Sequence, residues 1–295
     1  MRLGIIGQGG QLARALMVLT EKQNIETKCY GRQACDLSAP PKDIEKFVTG
    51  LDIDALIIAA AYTAVDKAED DYDTAHAVNA AAPEAIARAC VKKDIALVHV
   101  STDYVFQGKA RVPYTVDAPT DPINAYGRTK LIGEQSILKA HSRAAVLRTS
   151  WVFDGSGNNF MTTMLRFGQA REELSVVSDQ FGRPTNAAHL AQACLDTALA
   201  LGGKDGEQAS GLYHVTNSGE AISWAEFAQA IFARAKNDLP HAVKVTPIPS
   251  SGYPTHAKRP AYSVLDTSCY ETRFKPLPHW REALEQAYLE WVENK

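Results

Sequence analysis

The chain has 295 residues, enough for one large domain or two modest ones. Its net charge of −3 excludes a broad electrostatic attraction to nucleic acid or to an anionic membrane. The sequence has no apolar run long enough for a secretory signal or a membrane-spanning helix, and its five cysteines are scattered with no C-x-x-C pair. We therefore expect a cytoplasmic protein without a disulfide framework or zinc site.

Short apolar runs alternate with helical patterns through the first half of the chain. Runs that are apolar throughout indicate strands of a parallel sheet covered on both faces. The alternation predicts an α/β fold with a Rossmann-like, doubly wound parallel sheet. The predicted strands are 2–6, 26–30, 55–61, 96–102 and 144–153, and the predicted helices are 12–21, 73–93 and 125–140.

A glycine-rich turn, IIGQGGQLARAL, links the first predicted strand to the first helix. Gly7 permits a tight turn, Gly10 leaves room for a pyrophosphate, and Ala13 lets the helix pack closely on the sheet. The helix N-terminus then offers free N–H groups to phosphate. The position of the pattern at the first strand–helix junction favours dinucleotide binding over a glycine-rich turn without a ligand.

The segment at the end of the second predicted strand, KCYGRQACDL, helps to decide which dinucleotide is bound. Folds that bind NAD usually carry an acidic residue at this point for the ribose 2′-OH, and none directly follows Tyr30. Arg32 suits the 2′-phosphate of NADP, which favours NADPH, with NADH as the alternative. Two other interpretations stay open: an Arg32 that is merely exposed, and an Asp36 that meets the edge of the adenine.

A tyrosine and a lysine stand four residues apart in AYGRTK, directly after a loop rich in proline and aspartate. Tyr126 and Lys130 share one face of a helix, which alone is more typical of a solvated surface. A nearby ammonium is expected to lower the pKa of the phenol, so that Tyr126 can supply the proton during reduction of a carbonyl. The predicted strand that ends in Thr102 and Asp103 places a hydroxyl where α/β sheets bind their ligands.

The composition changes after about residue 154, where glycine-rich and polar segments replace the regular alternation. Apolar runs return at 211–217 and 244–250, and helical patterns at 223–236 and 279–294. We interpret residues 1–154 as mainly the NAD(P)-binding Rossmann domain. Residues 155–295 are interpreted as mainly a smaller α/β substrate-binding lobe, interleaved with the first domain because its late segments need strand partners.

Several other polar and aromatic residues have structural interpretations. The charge run 66–71 is typical of a solvated helix face or an N-terminal cap. His99 lies within an apolar strand, which favours a packed histidine over a proton shuttle. Trp224, Trp280 and Trp291 are interpreted as anchors of the core.

In the order of its motifs, the chain resembles the extended short-chain dehydrogenase/reductases, and within them the family of dTDP-4-dehydrorhamnose reductases. The resemblance covers nearly the whole chain. It rests on the segments 5–16, 59–70, 78–87, 98–108, 126–134, 147–153, 176–185 and 257–266. It implies NADPH-dependent reduction of the C4 keto group of dTDP-4-dehydro-β-L-rhamnose, the last step in making a nucleotide sugar for cell-surface polysaccharide such as O-antigen.

The resemblance also implies roles for individual residues. Thr102, Tyr126 and Lys130 would form the catalytic set, with Tyr126 as proton donor. The implied coenzyme contacts are Gln8, Gly9, Gly10, Gln11 and Leu12 at the pyrophosphate, Asp36 and Leu37 at the adenine, and Ala60, Ala61, Tyr62 and Thr63 along the remaining cofactor.

The implied substrate contacts lie in both halves of the chain. Asp103 and Trp151 would meet the sugar, with Trp151 as an apolar plate against its ring. Arg259 would pair with the diphosphate by charge. The implied partner is thus a small nucleotide sugar, with no nucleic acid or membrane, and the protein would act as a monomer or a homodimer.

Some relatives dimerise through Mg²⁺ held by clustered glutamates. Here Ala13, Arg14 and His189 occupy the neighbourhoods where such ligands are expected, so we assign no metal ligand. The terminal helix is rich in glutamate, which keeps Mg²⁺ open as an alternative. Two functional alternatives also remain: an NADP-binding, non-catalytic regulatory subunit of the methionine adenosyltransferase type, and a reductase of another nucleotide keto sugar.

Overall fold

A computed structural model of the chain describes residues 1–294, and a six-stranded parallel sheet forms its centre. The strands are β1 (Leu3–Ile6), β2 (Thr27–Tyr30), β3 (Ala55–Ile58), β4 (Ala96–Thr102), β5 (Ala144–Thr149), β6 (Val152–Phe153), β7 (Glu173–Val177), β8 (Phe181–Gly182), β9 (Thr185–Asn186), β10 (Gly211–His214), β11 (Ile222–Ser223) and β12 (Lys244–Ile248). The order in the sheet is β10-β5-β4-β3-β1-β2, and each neighbouring pair is parallel. The strand order reverses beside β1, so the carboxyl ends of β1 and β3 flank the crevice where such sheets bind ligands.

Helices cover both faces of the sheet, as the wholly apolar strands predict. They are α1 (Gln11–Lys22), α2 (Pro41–Thr49), α3 (Tyr72–His76), α4 (Ala82–Lys93), α5 (Ala125–Ala140), α6 (Phe160–Gly168), α7 (Ala187–Gly202), α8 (Trp224–Ala235), α9 (Ser268–Glu271) and α10 (Trp280–Glu293). On one face, α1 and α7 pack against strand residues such as Ile5 and Val98. On the other face, α2, α4 and α5 cover residues such as Leu56 and Val146. The predicted α/β fold class is confirmed.

The second half of the chain forms a smaller unit with its own core. Its strands pair in twos, β12 with β7, β11 with β8 and β6 with β9. Phe153, Leu165, Phe227 and Trp280 lie together in a separate apolar cluster. The strand β10, however, pairs with β5 at the edge of the large sheet, so a segment from the second half completes the first unit.

Two long predicted elements are interrupted. The helix predicted over 73–93 contains a π-helical turn at Ala77–Ala81, between α3 and α4. The strand predicted over 144–153 breaks after Thr149 and resumes as β6. The second interruption lies at the cleft described below, which the residues of the break, 149–152, help to line.

Candidate active site

A cleft of about 950 Å³ opens at the carboxyl ends of the central strands. Each of the first five strands ends in residues that line it, as the topology of an open parallel sheet predicts. The predicted site residues that line the cleft are Gly7, Gln8, Gly9, Gly10, Gln11, Leu12, Arg32, Ala60, Ala61, Thr63, Thr102, Asp103, Tyr126, Lys130, Trp151 and Arg259. Three predicted residues, Asp36, Leu37 and Tyr62, lie outside this lining.

The glycine turn leaves an open approach to the N-terminus of α1. Gly7 has a φ of 129°, and a Cβ there would lie 3.2 Å from the backbone nitrogen of Ala60. A Cβ on Gly9 or Gly10 would meet no described atom within 4 Å, so the space above both residues is free. Gly10 caps α1 without a side-chain hydrogen bond. The first N–H groups of the helix therefore face a space that suits the phosphates of a dinucleotide.

Arg32 stands at the end of the cleft beside β2. Its side chain is 79% exposed, and its Nε donates to Asp36 Oδ2 at 3.2 Å. The carboxylate of Asp36 also accepts from the backbone and hydroxyl of Ser38. The Arg32 guanidinium is mostly exposed and can therefore reach an anionic group. The Asp36 carboxylate already accepts hydrogen bonds within its own turn.

Tyr126 is placed by the start of α5. The side chain of Asn124 accepts from Gly127 N at 2.8 Å and donates to Lys258 O at 2.8 Å, which fixes the first turn of the helix. A Cβ at Gly127 would lie 2.2 Å from the carbonyl oxygen of Tyr104, so only glycine lets the helix approach the end of β4 this closely. This approach brings the phenol of Tyr126 to the hydroxyl of Thr102, with which it hydrogen-bonds.

The acidity of this tyrosine contradicts the sequence-based expectation. Burial raises the pKa of the Tyr126 phenol well above its ordinary value, and the charge of Asp103 adds to the rise. The hydrogen bond between the phenol and the Thr102 hydroxyl opposes this rise only in part. The expected lowering of this pKa by Lys130 was wrong for this structure: burial is the largest cause of the shift, and the ammonium of Lys130 is not among the groups that lower the pKa. The phenol stays protonated, which is the form that donates a proton.

Lys130 is almost fully buried, with 1% exposure. Its Nζ donates to Val100 O at 2.7 Å and lies 3.1 Å from His99 Nε2. Burial lowers the pKa of the Lys130 ammonium to about 8, and the negative charge of Glu134 opposes this fall. Lys130 thus shares the cleft with Tyr126, but its hydrogen-bond partners lie on β4.

Asp103 follows β4 and is 2% exposed. Its Oδ1 accepts from the Thr102 hydroxyl at 3.0 Å. Burial raises the pKa of this carboxyl to about 7, and hydrogen bonds from Ser263 and Thr102 oppose the shift. A buried carboxyl that titrates near neutrality inside a cleft is typical of a functional site.

Trp151 sits at the break between β5 and β6 with a φ of 49°, a strained conformation for a tryptophan. Its ring stacks on Trp224 with the centroids 3.5 Å apart and an angle of 9° between the planes. A Cβ at Gly182 would lie 2.5 Å from the same indole. Trp224 lines the cleft as well as packing on the lobe core, so the interpretation of Trp224 as a core anchor alone was incomplete. Trp280 and Trp291 pack in that core as expected.

Arg259 comes from the second half of the chain and crosses to the first. Its Nη2 lies 2.6 Å from Asp66 Oδ2, and its Nη1 donates to the hydroxyl of Tyr104 at 3.4 Å. Asp66 also accepts from the backbone of Ala257, and Asp70 lies 3.1 Å from the ring of His256. Asp66 stands at the N-cap of the short helical turn Lys67–Glu69, and the side chains of Asp66 and Asp70 are 44% and 78% exposed, so the prediction of a solvated face or cap is confirmed for both. In addition, these two carboxylates bind a loop from far along the chain, which the sequence did not indicate.

Other residues that line the cleft were missed from the sequence. Several of them belong to the strand ends already predicted, and their position after β4 or β5 was an available signal. Asn158 and Trp224 come from the second half, where no local pattern marks them. Among the missed residues are Val65, Ser101, Tyr104, Thr149, Ser150, Asn158 and Trp224.

Within residues 1–294, no three or more His, Cys, Asp or Glu side chains come together as a metal site. None of the helices in that range combines the length and the apolar character that crossing a membrane requires.

The whole chain can be compared with known proteins. Over residues 1–292 it matches the family described as the RmlD substrate binding domain. The chain belongs to this family. The family assignment confirms the resemblance drawn from the motifs, and it covers both the parallel sheet and the smaller lobe.

Similar members of the family carry one name. The dTDP-4-dehydrorhamnose reductase of Sinorhizobium fredii is 38% identical over 293 residues, which span 99% of this chain and 97% of that protein. The crystal structure of a dTDP-4-dehydrorhamnose reductase from Clostridium acetobutylicum matches with a TM-score of 0.90 and 35% identity, covering 99% of this chain and 100% of that one. The enzyme of that name from Bacillus anthracis, in complex with NADP, matches with a TM-score of 0.89 and 34% identity, covering 98% and 99%.

Proposed function

We propose that the chain is an NADPH-dependent reductase of dTDP-4-dehydro-β-L-rhamnose. It converts the C4 keto group to the hydroxyl of dTDP-L-rhamnose, the final step in the synthesis of this nucleotide sugar. One observation carries the proposal: Tyr126, in contact with Thr102, lies in the same cleft as an open glycine turn. The relatives named for this reaction, matched over nearly their full length, supply the substrate class.

The coenzyme is proposed to lie along the carboxyl ends of β1 to β4. Its phosphates would meet the N-terminus of α1 above Gly9 and Gly10, where the structure leaves free space. The exposed guanidinium of Arg32 would hold the 2′-phosphate, which favours NADPH over NADH, and the NADP complex of the B. anthracis relative supports this preference. Asp36 and Leu37 would flank the adenine from the turn that follows β2.

The chemistry divides between coenzyme and protein. NADPH, when bound, would supply a hydride to C4. Tyr126 would donate its proton to the oxygen that becomes negative. Thr102 hydrogen-bonds the same oxygen or the phenol and so fixes their distance. Lys130 would carry its positive charge in the same cleft, where it would favour the phenolate that remains once the coenzyme is bound.

The substrate is proposed to bridge the two units of the chain. Asp103 and the indole of Trp151 would meet the sugar, and Arg259 would meet the diphosphate. Arg259 contacts Asp66 through Nη2 and Tyr104 through Nη1, and the guanidinium has five N–H groups, so further donors would remain for the diphosphate. Residues 155–295, apart from β10 and α7, would form the lobe that selects the base and the sugar.

The test is oxidation of NADPH by the purified chain, measured at the nicotinamide absorbance with and without the keto sugar nucleotide. We expect turnover only when the sugar is present, and Tyr126→Phe should lower it by about 10²-fold or more. Tyr253→Phe is the matched control, because Tyr253 is 61% exposed and lies outside the cleft lining. A Tyr126→Phe variant as fast as the parent chain would show that the assigned proton donor is wrong.

A panel of other nucleotide keto sugars, each with NADPH and with NADH, separates the alternatives. Faster turnover of a different sugar would replace the proposed substrate while leaving the chemistry in place. NADPH binding without turnover of any sugar would favour the non-catalytic binding subunit.

A further inference from the structure

His99 is buried in the middle of β4, with 1% exposure. Its Nε2 lies 3.1 Å from Lys130 Nζ. Its other ring nitrogen, Nδ1, is also buried, and it has no hydrogen-bond partner in the described part of the chain. The sequence-based interpretation of a packed histidine accounts for the burial of the ring but not for its contact with a residue of the catalytic set.

The contact with Lys130 determines the tautomer and the charge of the His99 imidazole. The Lys130 ammonium can only donate, so His99 Nε2 must accept, and the proton of the neutral ring lies on Nδ1. Burial lowers the pKa of His99 well below its ordinary value, and the positive charge of Lys130 adds to this effect. The ring is therefore neutral at physiological pH and does not act as a proton shuttle.

An unpartnered N–H inside an apolar strand costs stability, and a leucine at this position would avoid that cost. Packing therefore does not explain why a histidine stands here. Compared with a leucine side chain, the imidazole adds one hydrogen-bond acceptor, Nε2, and this acceptor faces Lys130.

The hydrogen bonds of Lys130 show what this acceptor achieves. An ammonium has three N–H groups. One is taken by Val100 O at 2.7 Å and a second by His99 Nε2. The third remains for the cleft, which Lys130 lines.

We propose that His99 is a positioning residue that keeps Lys130 charged and leaves one of its N–H groups for the coenzyme and the tyrosine. The inference rests on the proposed function for its activity readout, but it concerns a contact within the chain itself. Two acceptors on one strand hold the ammonium at a fixed depth, and the removal of either makes the buried charge harder to maintain.

Other charged and titratable groups around Lys130 must be considered in any pH measurement. Glu134 lies one turn further along α5 and forms a buried ion pair with Arg148. The phenol of Tyr126 has a raised pKa and stays protonated. The pKa of Asp103 is raised to about 7, so its ionisation would affect the acid limb of the pH profile of kcat/KM. The alkaline limb, near pH 8, belongs to Lys130.

The experiment compares His99→Gln with His99→Asn and with His99→Leu. The amide of glutamine reaches the position of Nε2 and can accept from Lys130, whereas that of asparagine is too short and leucine has no acceptor. In the Asn and Leu variants the pKa of Lys130 should fall further. We expect the alkaline limb of kcat/KM to move down by about one pH unit, and turnover at pH 8 to drop by about fivefold, because the charged fraction of Lys130 at that pH falls from about one half to about one tenth. The Gln variant should stay within about threefold of the parent chain.

NADPH affinity is measured across the same pH range, because it reports on Lys130 without any sugar. If the parent chain turns over no sugar, the proposed function fails while this titration still tests the inference. A residue that only packs would lower the unfolding midpoint of the variants and leave both pH profiles unchanged. Unchanged profiles in a folded Asn or Leu variant, or a Gln variant as impaired as the Asn variant, would overturn the proposal.

Discussion

Replacing Asp103 by asparagine tests the electrostatics of the cleft most directly. The carboxyl is 2% exposed, and burial raises its pKa from an ordinary 3.8 to about 7. One pKa unit corresponds to about 1.36 kcal/mol, so the ionised form is disfavoured in the folded chain by at most roughly 4 kcal/mol. The asparagine side chain has nearly the same shape as the aspartate and cannot ionise.

The sign of the pH dependence follows from the protons that Asp103 binds in the folded and in the unfolded chain. Between pH 4 and pH 7 the folded chain holds a proton on Asp103 that the unfolded chain has already lost, so the stability of the parent chain falls as the pH rises. Below this window both states are neutral, and above it the full cost is present. The stability of Asp103→Asn relative to the parent should therefore grow from pH 4.5 to pH 7 and then level off.

Urea unfolding at pH 4.5, 6 and 8 measures this difference, provided that the m-values agree. The change in hydrogen bonding to Thr102 adds an offset that does not depend on pH. We expect the relative stability to shift by several kcal/mol across the range, with lower turnover if Asp103 meets the sugar. A difference that stayed constant from pH 4.5 to pH 8 would refute the raised pKa.

Three further substitutions test packing and binding. Gly133→Ala should destabilise the chain by about 2 kcal/mol or more in thermal unfolding, because its Cβ would lie 2.0 Å from the carbonyl oxygen of Asn79. Arg148→Met should cost about 3–5 kcal/mol in urea unfolding, because it leaves the buried carboxylate of Glu134 without its partner. Trp224→Leu should weaken binding of the sugar nucleotide by roughly tenfold in calorimetry and leave NADPH affinity unchanged, because it removes an indole stacked within the cleft.

Each of these has a control. Gly252→Ala places a Cβ no closer than 3.7 Å to its neighbours, so it should be nearly neutral. The double variant Arg148→Met/Glu134→Leu should recover much of the lost stability, since no lone charge is then buried. An equal loss of sugar and NADPH affinity in Trp224→Leu would show that this residue supports the fold rather than the substrate.

The parallel sheet and the first part of the site could be predicted from the sequence. The strand predicted over 96–102 and the helix predicted over 125–140 have the observed bounds of β4 and α5. Both are marked locally, the strand by its apolar run and the helix by Asn124 as a cap after a proline-rich loop. The glycine turn directly follows β1, and Tyr126 lies in the first turn of α5. Both could therefore be assigned to the cleft from the sequence.

Contacts between distant parts of the chain could not be predicted. Asp66 and Arg259 are 193 residues apart, and no periodicity in either segment indicates that they meet. The stacking of Trp151 on Trp224 depends on a left-handed backbone that only tertiary packing supports. The pKa of Tyr126 was mispredicted for a related reason: i,i+4 spacing gives the proximity of a charge but not the depth of burial.

The late position of β10 has a consequence for synthesis of the chain. Roughly 65 residues separate the end of β5 from the end of β10, and until they are made the outer hydrogen-bonding groups of β5 lack their final neighbour. At a rate of about 5–20 residues per second, a ribosome needs several seconds to cross this interval. During that time the nascent chain presents a bare strand edge, which is the kind of surface that other chains and chaperones bind. Codon usage across residues 150–214 would therefore set how long each new molecule is vulnerable.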